Sequence, residues 1–416
     1  MASPIVITNV HVFDGTGREP FPGQVVVEGC RIASVVQDGG AARPERGTVI
    51  DGRGGTLMPG LVEAHAHLSF PDLFANDITR LPVEEHMLIT VRNARTMLDC
   101  GYTSAFSAAA AKPRLDVVLK REIDAGRVPG PRLLANGPEL TVTGGLGDTN
   151  VLHLPYDTEP TFCWIVDGPD AVRKAVRTLA REGVDLLKLN ISGDGGTSSA
   201  GADVTVMTDD ELTAAMEIAR QRNLRVAGHC RSAGSVLAAL RHGVEVVYHA
   251  THADEEALDA LEAARDRVFV APAIGHTWSL AEVGPSMGLP VTRADAAAAE
   301  LEACRDTYSR MRKRGIRVLP GGDYGFPTSP HGRYAKDLEI FVDLLGFSPM
   351  ETLIAATRHG GEIMGKPGEL GVIASGALAD LVLVDGDPLA DIAILQDRSR
   401  LRLIMKDGAL HKAPAA

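Results

Sequence analysis

His65 and His67 stand one residue apart at the end of the apolar run Leu57-Met58-Pro59-Gly60-Leu61-Val62-Glu63-Ala64. Side chains alternate faces along a strand, so both imidazoles point the same way and can share a metal ion. The alternative is two ordinary polar residues at a strand–loop junction. Lys188 sits inside a second apolar run, Val184-Asp185-Leu186-Leu187-Lys188-Leu189-Asn190. A buried ammonium is costly unless neutralised or paired. Carboxylation by CO2 makes it an anionic carbamate able to bridge two cations; pairing with a carboxylate, or pointing out of the fold, also resolves the cost. Val226-Ala227-Gly228 ends in His229 and Val246-Val247-Tyr248 in His249. One such histidine is more often a satisfied core group than a ligand, but two successive strand ends are harder to dismiss. Val318-Leu319-Pro320-Gly321-Gly322 delivers Asp323, beside glycines that admit close approach; a helix N-cap is its other reading. Four imidazoles, an amine and a carboxylate suit a pair of borderline divalent cations such as Zn2+. Two such ions can activate a bridging water and polarise the carbonyl it attacks.

These residues need a frame that brings distant strand ends together. Apolar strand-like runs recur at 57–65, 102–106, 131–136, 184–190, 224–229, 244–249, 267–272 and 316–321, with helical patterns between most of them, such as Val83 to Asp99 and Pro169 to Glu182. Thr208-Asp209-Asp210-Glu211 reads as a capping box, and Gly101, Gly183, Gly243 and Gly315 each follow a helical pattern as terminating glycines. Eight alternations over about 300 residues favour an α/β fold of the (β/α)₈ barrel type, whose catalytic groups gather at the C-terminal ends of the strands. A doubly wound open sheet is the competitor, but no GxGxxG opens an early helix. Residues 4–57 and about 370–411 share a different texture, β-branched runs punctuated by Asp-Gly and Glu-Gly turns. Both termini therefore predict one small β-sandwich domain, 1–57 with 370–416, around a barrel of 58–369.

The 416 residues carry 42 Lys plus Arg against 54 Asp plus Glu, a net charge of -12 that argues against nucleic acid as a partner. No apolar stretch approaches the roughly 20 residues of a membrane span. No secretory signal is visible at the start, and the five cysteines are scattered without a CxxC pair, so a cytoplasmic location with reduced thiols is expected.

The phrases Met58-Pro59-Gly60-Leu61-Val62-Glu63-Ala64-His65-Ala66-His67, Leu187-Lys188-Leu189, His229, His249, Gly322-Asp323 and Gly376-Ala377-Leu378-Ala379-Asp380-Leu381-Val382-Leu383-Val384-Asp385 resemble the amidohydrolase superfamily over nearly the whole chain. Gly130-Pro131-Arg132, Thr143-Gly144-Gly145 with Gly147-Asp148, and Asp385-Gly386-Asp387-Pro388 are similar to its imidazolonepropionase-like branch, which includes Xaa-Pro and other dipeptidases with a bridging lysine, and ochratoxinase. The resemblance implies that His65, His67 and Asp323 bind the deeper metal, His229 and His249 the more exposed one, and carboxylated Lys188 bridges them. It further implies that Asp323 takes a proton from a metal-bridging hydroxide and passes it to the leaving nitrogen, and that the chain forms homo-oligomers. The reaction expected is hydrolysis of the C–N bond of a small amide, a dipeptide or N-acyl amino acid; a carbamate, urea or cyclic amide is the alternative substrate. The chain departs from the pattern in carrying Glu63 where relatives have Asp, Gly144-Gly145-Leu146-Gly147 for Gly-Gly-His-Gly, and Ala105-Phe106-Ser107 for Val-Arg-Asp.

Substrate contacts are expected from Tyr248 and His252 beside the sixth strand's histidine, and from Arg231, whose guanidinium suits a carboxylate but is also read as a surface ion pair. His276 and His331 read as structural or solvated, Cys230 as a small buried filler. The segment 138–167, with His153, Tyr156, Phe162 and Trp164, is expected to cover the mouth of the site, and Gly193-Asp194-Gly195-Gly196-Thr197 to form a flexible lid after its strand rather than a phosphate cradle, since no Lys-Ser/Thr follows.

Overall fold

The computed structural model describes residues 3–37, 47–149, 161–194 and 199–414; His153, Tyr156 and Gly195 to Thr197 lie outside them. Seven parallel barrel strands follow in order: Leu61–Ala66, Tyr102–Ser107, Arg132–Leu134, Leu186–Asn190, Arg225–Ser232, Val246–His252 and Phe269–Ala271. The eighth run bridges the seventh in parallel through Val318 and Val270. Two junctions are made by single carbonyls. Ala135 O accepts Asp185 N and Leu186 N at 2.8 and 3.2 Å between strands three and four, and Pro320 O accepts Ala64 N at 3.3 Å to close the ring.

Period-2 patterning explains which residues enter the barrel. Leu186, Ala227, Val246 and Tyr248 join one interior cluster, whereas Leu187, Leu189, Val226, Cys230 and Val247 pack outward against the helices. The helices start and stop as the sequence dictates. Thr208 and Glu211 form the reciprocal capping box of Asp209–Arg222, and Gly183 and Gly243 end their helices at φ 97° and 86°.

The predicted run 57–65 divides. Thr56–Pro59 pairs with Leu381–Val384 and the chain then crosses at Gly60 into the first barrel strand. A Cβ on Gly60 would meet Thr103 Oγ1 at 2.1 Å, so the crossing admits no side chain. The terminal strands join one continuous eight-stranded sheet containing Ile5–Val12, Phe21–Glu28, Arg31–Gln37 and Thr48–Asp51 from one end and Leu381–Val384, Leu401–Lys406 and Ala409–Lys412 from the other. Leu381 and Leu383 face that domain's own core, while Val382 and Val384 face the barrel. Arg132 reinforces the joint, reaching Asp380 at 3.3 Å and Asp407 at 2.5 Å. Among the described residues no helix is long and apolar enough to cross a membrane.

Candidate metal centre

Alternation along the fourth and fifth strands turns Lys188, His229 and Arg231 inward with Leu186 and Ala227. His249 needs a different device, because Tyr248 before it already faces inward. Its backbone, with that of Ala250, adopts positive φ (70° and 54°), which swings the imidazole into the cavity at the strand's end. Asp323 is likewise left-handed at φ 59°. Non-glycine residues hold such conformations only where the surroundings impose them. Glu63 and Asp337 impose the last one: their buried carboxylates accept Gly322 N and Gly321 N, each at 3.0 Å, gripping the turn that carries Asp323. Both glycines are required, since a Cβ on Gly321 would meet His65 N at 2.8 Å and one on Gly322 would meet Tyr324 at 2.1 Å.

The six rim residues converge. His65, His67 and Asp323 present ligand atoms within 4.8 Å of one another. Asp323 Oδ1 is 3.1 Å from His67 Nε2 and 3.8 Å from His65 Nε2. The His249 ring lies 4.3 Å from that of His229 and 5.4 Å from that of His65. Lys188, with 2% of its side chain exposed, points its Nζ at the face of Tyr248, 4.6 Å away, in the same cavity.

The protonation pattern fits cations. Burial pushes His65 and His249 well below the usual imidazole range, assisted in His65 by Lys188 and in His249 by Arg231, and lowers His229 to about 3. These rings are neutral, with a lone pair to offer. Burial alone would raise Asp323, but His65 and His67 beside it hold it well below the usual carboxylate range. His67 Nδ1 lies 3.2 Å from Ala109 O, an acceptor only, so the ring donates there and turns its Nε2 toward Asp323 Oδ1. Buried His65 Nδ1 and His249 Nδ1 lack hydrogen-bond partners among the described residues. The donor set therefore suits divalent metal.

The cavity measures about 310 Å³, within reach of a small ligand. Phe70, Phe162, Leu280, Leu289, Phe326 and Pro327 supply an apolar wall. Phe162, from the segment expected at the mouth, is among them.

Not every expected substrate contact reaches this cavity. Tyr248 donates its hydroxyl to Ala64 O at 3.1 Å and lies tilted against the His65 ring, 3.9 Å between centroids, off the cavity wall. His252 is exposed at the end of its strand and off the cavity wall. Arg231 does line the cavity, but it is buried rather than on the surface and is held by Asp194 at 2.7 Å and by Glu300, both carboxylates on the same wall. His276 also lines the cavity, bonded to Ser329 Oγ at 2.9 Å. His331 is fixed by the Tyr334 hydroxyl and Phe70 O at 2.6 and 2.8 Å. Glu139 is a wall residue the sequence reading passed over. Its one outward signal is a carboxylate between Gly137-Pro138 and the apolar Leu140.

The model of the amidohydrolase family matches residues 56–410, and the chain belongs to that family, whose members hydrolyse carbon–nitrogen bonds. Its sequence is 27% identical to an ochratoxinase of Aspergillus niger over 382 residues, covering 86% of this chain and 76% of that one. It is 26% identical to an imidazolonepropionase of Rubrobacter xylanophilus over 414 residues, covering 94% and 91%. Among solved structures, a prolidase complexed with N-methylphosphonate-L-proline superposes with a TM-score of 0.89 at 27% identity, covering 99% of this chain and 100% of the other.

Proposed function

We propose that this enzyme is a binuclear metal-dependent amidohydrolase cleaving the C–N bond of a dipeptide or N-acyl amino acid. The observation that carries it is the convergence of the His65, His67 and Asp323 ligand atoms within 4.8 Å of one another, in a cavity that Lys188, His229 and His249 also line. His65, His67 and Asp323 would hold one cation, His229 and His249 the other, and Lys188, as its carbamate, would join both. The nitrogen-rich set suits Zn2+, and the cations would supply an activated water and polarise the scissile carbonyl.

The chain's own residues do the rest. Asp323, kept ionised, accepts the proton of the attacking water and returns it to the leaving nitrogen. The phenyl and leucyl wall excludes bulk water and takes the apolar part of the amide. Tyr248 and Glu63, from below, keep His65 and the Asp323 turn in register. The names of the ochratoxinase and prolidase relatives favour an amino-acid-derived amide.

The test is metal content with a substrate panel. Purified enzyme should hold close to two equivalents per chain, lose activity in chelator and regain it with zinc or manganese. Dipeptides and N-acyl amino acids should exceed carbamates and phenylureas in kcat/KM. Rapid carbamate cleavage with no turnover of any amino-acid amide would overturn the substrate assignment.

A further inference from the structure

Glu139 opens the short strand Glu139–Thr141, which pairs in parallel with Cys163–Ile165 and, at Leu140, with Leu189 of the fourth barrel strand. That register puts its side chain beside Lys188 on the cavity wall, only 4% exposed. Oε2 is occupied, accepting Asn190 Nδ2 at 2.7 Å with Cys163 Sγ at 3.6 Å. Oε1 faces Lys188 Nζ at 3.9 Å, and among the described residues that amine is the one cationic group paired with it.

A buried carboxylate stays ionised only with a compensating charge or hydrogen bonds. If Lys188 carries the carbamate of the proposed function, on which this inference rests, the cation beside Oε1 becomes an anion. Glu139 then faces a like charge, and because the buried Arg231 is already held by Asp194 and Glu300, the positive charge left to compensate it beside Lys188 is that of the metals.

We propose that Glu139 is a seventh protein group of the metal centre, its carboxylate an oxygen donor to the cation pair beside Lys188. This makes the set richer in hard oxygen than the six rim residues alone, which moves its preference from zinc toward manganese.

The experiment is competitive metal titration of the chelator-stripped full chain against a chromophoric chelator, with the visible spectrum of the Co2+-loaded protein as second readout. Glu139→Gln keeps the shape and removes the charge; Glu139→Asp keeps the charge and shortens the reach. The expected result is a loss of about 10- to 100-fold in affinity for one of the two equivalents in Glu139→Gln, a changed Co2+ band from the lost oxygen, and partial recovery in Glu139→Asp. Circular dichroism and thermal melting confirm the fold, and should Glu139→Gln not fold, the Glu139→Asp titration decides. Two equivalents bound with wild-type affinity and an unaltered Co2+ spectrum would reduce Glu139 to a counter-ion of Lys188 and overturn the inference alone. A wild-type chain that binds fewer than two cations would overturn the binuclear reading as well.

Discussion

The two ends of the barrel place their charged and polar groups in opposite ways. At the N-terminal end, Arg225 grips Glu245 through Nε and Nη2, donates from Nη1 to Ile363 O and lies over Phe106, while Arg317 reaches Glu362 at 3.0 Å and lies over Phe269. At the C-terminal end, His65 Nδ1 and His249 Nδ1 have no partner among the described residues, and His249, Ala273 and Asp323 hold left-handed backbone. The first end ties its arginines to carboxylates and aromatic faces; the second combines partnerless imidazole nitrogens with left-handed backbone, which is the mark of a ligand site.

The sharpest break in that comparison is Asp323→Asn. It should lower kcat/KM by about 10²- to 10⁴-fold, the range of a lost general base, while the melting temperature stays near wild type. Steady-state kinetics and calorimetry on one preparation check this, and a large fall in stability with intact turnover would reverse the assignment. Arg231→Met tests where the C-terminal end does carry load. It deprives Asp194 and Glu300 of a buried guanidinium, and urea unfolding should show a loss of about 3–5 kcal/mol.

Metal-free protein should also be acid-labile in a defined window. His229 is lowered to about 3 in the folded chain, so between the ordinary imidazole pKa of about 6.5 and about 3 the unfolded chain binds the extra proton. Stability is full above pH 6.5 and falls as pH drops through that window, and His229→Gln should flatten the slope in pH-dependent denaturation. The smallest effect belongs to the opposite end. Glu245→Gln should cost about 1 kcal/mol, since this pair is partly exposed, and leave kcat/KM unchanged.

Much of the site was legible because local patterns specify it. The one-residue spacing of His65 and His67, the lysine inside an apolar strand, and histidines ending two successive apolar runs are all read from alternation alone. What escaped depends on contacts between distant segments. Glu139 gains meaning only from Lys188, and Arg231 from Glu300, 69 residues away. Strict alternation would turn Tyr248 and His249 to opposite faces, but both face inward, because the positive φ at 249 swings its ring into the cavity as well. The terminal sheet was visible as texture, but its exit at Gly60 rests on a steric contact with Thr103.

Anomalous diffraction from crystals grown with zinc or manganese tests the central claim most directly. Two peaks are predicted inside the ring of His65, His67, Lys188, His229, His249 and Asp323, with density for a carbamate on Lys188 between them. A cavity without anomalous signal at saturating metal, or peaks away from those six side chains, would contradict it.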